Sequence, residues 1–212
     1  MKIGFDLDSV LANFIPAYQR LFVETTGRNT FHPNDDKDPP RWHWPQYRGY
    51  TEEEVDLVWA RIKASRDFWL SLGETQHCST LRMCIADLNR WHDIYFVTNR
   101  VGVDVKWQTE QWLMLHLGIE GPTVLISSAK GLCARALKLD CYIDDNLDNA
   151  NDVITQTLPS TQAQRGTAPV NEQPDTRVYL LNRNYNYEGL CDNRIVRVNT
   201  LGQMLDRELV NL

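Results

Sequence analysis

Four places in the chain set polar residues of complementary chemistry directly after short apolar runs. KIGF leads into Asp6, Leu7 and Asp8; IYFV leads into Thr98 and Asn99; TVLI leads through Ser127 and Ser128 to Lys130; CYI leads into Asp144 and Asp145. Carboxylates from two such places could share a hard cation through oxygen ligands, as Mg²⁺ prefers, while a hydroxyl and an ammonium donate to a phosphate bound opposite. Each piece alone has a plainer explanation: Asp-x-Asp as a solvated turn, Asp144 and Asp145 as N-terminal helix acids, Lys130 as a surface residue of a first helical turn, Thr98 as a strand-end hydroxyl. Their joint order favours chemistry, because chance seldom places DLD, TN, K and DD after successive strands at one end of a sheet.

The elements that must position these residues follow from periodicity. Lys2 to Leu7 reads as a buried strand, and apolar residues at helical spacing from Val10 to Thr26 predict a helix that Gly27 stops. Arg28 to Tyr50 is an ordered excursion, broken by four prolines, with acids at Asp35, Asp36 and Asp38 and a crowd of aromatics that includes Trp42 and Trp44. Thr51 caps a helix to about Ser65, with Glu52, Glu53 and Glu54 in its first turn, and another helix spans about Thr80 to Trp91. Strands at Ile94–Thr98, Thr123–Ile126 and Cys141–Asp144 then alternate with helices to about Leu117 and over Ala129–Leu137. This alternation predicts βαβ units, hence an α/β, Rossmann-like, mostly parallel sheet that binds ligands beyond the carboxyl ends of its strands. The polar stretch Thr155 to Thr176 reads as a mobile loop, before strands at Val178–Leu181 and Ile195–Val198 and a last helix over Leu201–Leu209.

The segments FDLDSVL, FVTNR, Lys130 and YIDDN resemble the four motifs of the haloacid dehalogenase superfamily of phosphatases. Within it, DLDSVLANF, DFWLSL and the short insertion after the first motif resemble the 5′(3′)-deoxyribonucleotidase-like family. The resemblance implies that Asp6 attacks phosphorus to form an aspartyl-phosphate, while Asp8 protonates the leaving oxygen and later accepts a proton from water. It also implies Mg²⁺ held by the Asp6 carboxylate, the Asp8 backbone carbonyl and an acid of the fourth motif, with Asp145 as direct ligand and Asp144 as its neighbour. Thr98, the Asn99 amide and Lys130 would bind the phosphoryl oxygens. Ser9 stands where many members of the superfamily have Gly, and a positive φ there suits serine less well.

The same resemblance divides the chain into a discontinuous catalytic core, residues 1–13 and 78–212, and a helical cap over 14–77. Phe14, Phe68 and Trp69 then stand where similar nucleotidases face the base. They either stack on a nucleobase or form the core of the cap. Trp42 and Trp44 could close the pocket from a loop but read better as packing plugs, and Arg41 and Arg48 could meet a second phosphate or a base edge but read better as solvated surface. Arg100, next to Asn99, is a candidate for contact with substrate or cap.

Composition narrows the partners. Twenty-two basic against twenty-eight acidic residues leave a net charge of −6, so neither a nucleic-acid polymer nor a membrane is expected as a partner, whereas a small phosphate ester remains open. Five cysteines, odd in number and without a C-x-x-C pair, fit a reducing, cytoplasmic setting better than a disulfide framework. No leader or membrane anchor is expected from the opening residues. Oligomeric state is left open, a homodimer included. The leading expectation is a Mg²⁺-dependent phosphatase of nucleoside monophosphates, with deoxyribonucleotides favoured. The alternatives are the same chemistry on another small ester, such as a sugar phosphate, and a catalytically retired binding domain.

Overall fold

The computed structural model describes residues 1–35, 38–158 and 175–209. Its elements, numbered in chain order, begin with β1 (Lys2–Phe5), β2 (Ala12–Asn13), α1 (Phe14–Thr26), α2 (Trp44–Tyr47), α3 (Glu52–Ala64), β3 (Gly73–Glu74) and α4 (Gln76–Trp91). They continue with β4 (Asp93–Thr98), α5 (Val105–Leu117), β5 (Thr123–Ile126), α6 (Lys130–Leu137), β6 (Cys141–Asp144), α7 (Leu147–Thr157), β7 (Arg177–Leu181), β8 (Val196–Val198) and α8 (Leu201–Leu209).

Six strands form one parallel sheet in the order β5-β4-β1-β6-β7-β8. The α/β class expected from the alternating pattern is therefore the class observed. β1 is central because its residues are buried on both faces, as crossover helices require of a parallel strand. Chain order reverses at β1, which pairs with β4 on one side and β6 on the other, so a crevice opens beyond its carboxyl end. Asp6 continues β1 into that crevice, its N–H donating to the Ile143 carbonyl at 2.9 Å.

The helix predicted from Val10 begins four residues later. Ser9 adopts φ of 65°, and the Leu7 carbonyl accepts from the amides of Val10, Leu11 and Ala12. This tight loop turns the chain before β2 pairs antiparallel with β3. The segment between them leaves and returns through that two-stranded ladder. Its α3 begins with a complete capping box, Thr51 with Glu54, as the Thr51 and acidic first turn predict. Apolar residues of this segment, among them Tyr18, Phe22, Trp44 and Ile62, join one continuous hydrophobic cluster with Phe5, Phe96 and Leu113 of the sheet and its helices. The insertion is thus seated on the core by shared packing.

The sequence reading missed α2 and the β2–β3 ladder, both too short to carry an apolar rhythm, and also α7, whose Leu147, Ala150, Val153 and Ile154 do recur at helical spacing within an otherwise polar stretch. α7 runs to Thr157, past the expected start of the mobile loop, and most of that loop, 159–174, lies outside the described residues. So does Asp36. The five cysteines are unpaired, and no described helix is long and apolar enough to cross a membrane.

Candidate active site

The four expected strand-end groups meet in one place. Asp6, Asp8, Thr98, Asn99, Lys130 and Asp145 all line a single cavity of about 400 Å³. Lys130 is delivered there by the start of α6, which packs tightly on α7: a Cβ at Gly131 would stand 2.5 Å from the Asp152 carbonyl oxygen, so only glycine permits the approach. The Lys130 ammonium is buried, bonding the Asp6 carboxylate and the Val97 carbonyl, with Asp144 at 3.8 Å. Burial works to lower its pKa, yet Asp6 and Asp144 outweigh that and hold it raised.

Three buried carboxylates, Asp6, Asp144 and Asp145, bring one oxygen each to within 4.8 Å of the others. Burial pushes the Asp6 carboxyl well above the usual carboxylate range against the pull of Lys130, and Asp144, Asp145 and Asp8 push the same way. Burial, reinforced by Asp144, likewise lifts Asp145 to about 7. Lys130 is the one ammonium inside this cluster among the described residues, so carboxylate charge there is under-compensated. An all-oxygen donor set with unmet negative charge fits a hard divalent cation such as Mg²⁺.

The two acids of the fourth motif are not equivalent. Asp144 has both oxygens engaged, by the Tyr142 hydroxyl at 2.9 Å, the Asn146 amide at 2.8 Å and the Asn149 side chain at 3.2 Å. Asp145 lines the cavity and accepts from the Tyr185 hydroxyl. This leaves Asp145 the freer of the two to meet a cation.

Asp8 sits opposite, its carboxylate oxygen 3.4 Å from the Thr98 hydroxyl. Arg100, a candidate by sequence for contact with substrate or cap, does not line the cavity but does meet the insertion, lying over the Trp69 ring. It is buried behind Asp8, bonded to it, and absent from the cavity lining, because the β4–α5 loop turns its guanidinium into the core.

Away from the carboxylates the cavity becomes aromatic. Phe14 and Trp69 line it together with Tyr18, Trp44 and Trp59. Phe14 stacks on Tyr18 (centroids 4.9 Å apart) and on Trp69 (5.9 Å). Phe68 does not line the cavity; it packs edge-on behind both Phe14 and Trp69. Trp44 is buried against Tyr18 and Phe31, as a plug would be, yet one part of it reaches the cavity wall. Trp42 is not the packing plug expected: it is half exposed, lines the cavity and meets Tyr185 edge-on at 5.5 Å. Arg41 is exposed and lies over the Tyr47 ring, as a surface residue would, but Arg48 is not the solvated residue expected: it is partly buried, with its guanidinium bidentate at 2.7 Å on the buried Asp35.

Sequence reasoning missed Tyr185, Asn146 and Asn149, all of which line the cavity. The rule that selected the other strand ends would have found Tyr185, which follows the carboxyl end of β7. It stands four residues past Leu181, inside the Asn/Tyr-rich stretch that follows the strand and not directly at the strand's end.

No family model matches the chain, and no curated protein matches it. Solved structures do. A predicted phosphatase from Clostridium acetobutylicum aligns over 100% of this chain and 98% of its own, with TM-score 0.52 and 14% identity. The fold is that of the haloacid dehalogenase-like hydrolases. The HAD-hydrolase YfnB from Bacillus subtilis, solved bound to magnesium, aligns over 100% of this chain and 98% of its own at TM-score 0.52 and 13% identity. CbbY from Rhodobacter sphaeroides, solved with phosphate, aligns over 96% and 95% at TM-score 0.52 and 10% identity.

Proposed function

We propose that the protein is a Mg²⁺-dependent phosphomonoesterase of nucleoside monophosphates, working through an aspartyl-phosphate on Asp6. The observation that carries this reading is one cavity that joins the Asp6, Asp8, Thr98, Lys130 and Asp145 cluster to a chamber walled by aromatic rings. Similarity of fold to a magnesium-bound hydrolase and a phosphate-bound relative supports the same chemistry.

In this mechanism Asp6, Asp145 and the Asp8 backbone would hold Mg²⁺, with Asp144 as the neighbour that braces the pair. The ion, when bound, supplies positive charge that stabilises the Asp6 carboxylate and the phosphoryl oxygens. Lys130, Thr98 and the Asn99 amide bind those oxygens and orient phosphorus toward Asp6. The Asp6 oxygen attacks phosphorus as the ester P–O bond breaks, and Asp8 gives its proton to the departing oxygen. Asp8 then takes a proton from the water that hydrolyses the acyl-phosphate, returning Asp6 as a carboxylate. The leaving group occupies the aromatic chamber, where a flat base stacks on Phe14 and its neighbours. The many rings in that chamber suit a flat base better than a sugar, which favours the nucleotide.

The test is phosphate release from a panel of nucleoside monophosphates, sugar phosphates and an aryl phosphate, with and without chelator. Release that survives excess chelator contradicts the mechanism, and preference for sugar phosphates contradicts the substrate.

Cavity position separates the aromatic residues. Phe14→Leu should cost about 1–3 kcal/mol in kcat/KM for nucleotides, or roughly 5- to 150-fold, while sparing a small aryl phosphate. Phe68→Leu, behind the wall, should instead lower Tm and depress all substrates together. The reverse pattern would remove the stacking argument.

Mg²⁺ affinity should also depend on pH. With Asp145 raised from 3.8 to about 7, the folded metal-free chain holds a proton that the unfolded chain lacks across that window. Its stability therefore falls as pH rises from about 4 to 7. Mg²⁺ expels that proton, so apparent affinity should weaken by up to about tenfold per pH unit below 7. Thermal shifts on Mg²⁺ titration at pH 6 and pH 8 check this; equal midpoints would contradict it.

A further inference from the structure

Arg100 is among the largest fully buried side chains of the protein, and its guanidinium is built around Asp8. Nη2 donates to Asp8 Oδ1 at 2.8 Å, and Nε lies 3.1 Å from Oδ2 and 3.2 Å from Oδ1. Nη1 donates to the Thr109 hydroxyl at 3.2 Å, and that hydroxyl donates to the Val105 carbonyl at 2.8 Å, so α5 holds the fork in place. The guanidinium also lies over the Trp69 ring, 5.1 Å from its centroid, and the Trp69 indole N–H donates to the Val101 carbonyl at 2.9 Å. Asp8 is Arg100's one carboxylate partner among the described residues. The guanidinium does not itself line the cavity; it reaches the lining through the Asp8 carboxylate, which it grips by hydrogen bonds, and through the face of the Trp69 ring.

We infer that Arg100 is the positioning residue for Asp8, fixing the plane of the carboxyl from behind so that it meets the ester oxygen as the P–O bond breaks. The inference rests on the reading of Asp8 as leaving-group acid. In the step concerned, the Asp8 proton moves to the leaving oxygen, the P–O ester bond breaks and the bond from Asp6 to phosphorus forms. Arg100 stays protonated throughout and neither gives nor takes a proton. Bidentate geometry matters because a two-point grip fixes orientation, whereas the point charge of a lysine fixes only distance. Trp69 connects this grip to the substrate chamber, since the same indole both lines the cavity and covers the guanidinium.

The experiment compares kcat/KM for phenyl phosphate, whose leaving group needs a proton, with that for 2,4-dinitrophenyl phosphate, whose leaving group does not. Wild type, Asp8→Asn, Arg100→Lys and Arg100→Ala are measured with Mg²⁺ present, with Tm for each. Asp8→Asn should steepen the leaving-group dependence, and Arg100→Ala should do the same, losing about 100-fold on phenyl phosphate and less than about fivefold on the dinitro ester. Arg100→Lys should not restore phenyl phosphate turnover. The Asp8→Asn and Arg100→Ala effects should fall short of additivity in the double variant. If Arg100→Ala does not fold, Thr109→Val, which loosens one arm of the fork, should shift the same ratio in the same direction to a smaller degree. Steepening by Asp8→Asn with a parallel loss on both esters for every Arg100 and Thr109 variant overturns the positioning role alone. No steepening by Asp8→Asn overturns the acid role and this inference with it, and absence of phosphate release by wild type overturns the phosphatase reading itself.

Discussion

Asp6→Asn should remove turnover, with kcat falling by about 10⁴-fold or more, and should leave the metal-free protein at least as stable as wild type. The first half follows because an amide cannot form the acyl-phosphate, and because one anionic ligand leaves the metal cluster. The second half follows from burial. Asp6 is held well above the usual carboxylate range by burial and by the three neighbouring acids, so an uncharged isostere relieves repulsion with Asp144 and Asp145. Loss of the Lys130 contact offsets part of that relief. Phosphate release and thermal melting in chelator check both halves. Substantial Mg²⁺-dependent activity in this variant would sink the nucleophile assignment, and a large fall in metal-free Tm would show that the Lys130 pair outweighs the repulsion.

Lys130→Met should damage both activity and stability. Its ammonium is buried between Asp6 and Asp144, and apolar replacement leaves the carboxylate cluster without its internal cation. Removing one partner of a buried pair typically costs about 3–5 kcal/mol. For a chain of this length that corresponds to a Tm lowered by about 6–20 °C. Mg²⁺ should recover part of the loss, because a cation bound among the same carboxylates replaces the missing charge and stabilises the folded state by mass action. A variant whose Tm is unchanged without metal, or which gains nothing from Mg²⁺, would contradict the electrostatic account of the cluster. Turnover should stay low even with Mg²⁺ bound, since the ammonium also contacts the phosphoryl oxygens in the proposed mechanism.

The polar cluster that lines the cavity was legible because its members follow short apolar runs that, alternating with helical patterns, read as buried strands. Strand identity is a local property of five or six residues, and a parallel sheet aligns the carboxyl ends of its strands. Asp6, Thr98, Lys130 and Asp145 therefore converge by topology alone, without knowledge of any side-chain contact. Ser9 belongs to the same class: a turn between Asp8 and β2 calls for a left-handed residue, and the serine there takes φ of 65°.

Other features depended on how the insertion seats on the sheet. Phe14 and Phe68 have the same chemistry and stand in segments that both resemble base-facing positions, yet one forms the cavity wall and the other packs behind it. Nothing in the composition of either segment distinguishes them, because the difference lies in the packing of α1 against α3 and the loop after it. Arg100 follows the same logic. Its position beside Asn99 suggested a contact with substrate or cap, and it does lie over Trp69 of the insertion; but burying its charge demands a carboxylate, and only folding brings the one at Asp8, ninety-two residues away in sequence, into reach of the fork. Tyr185 reaches Asp145 across forty residues for a similar reason: the strand end that carries it becomes a neighbour of β6 only once β7 has joined the sheet. The sequence by itself thus determined the sheet, the order of its strands' polar ends and the chemistry they offer, since those depend on local periodicity. The tertiary structure alone decided which aromatic residues face the cavity and which charges are paired behind it, since those depend on contacts between segments whose separation in sequence carries no record of their distance in space.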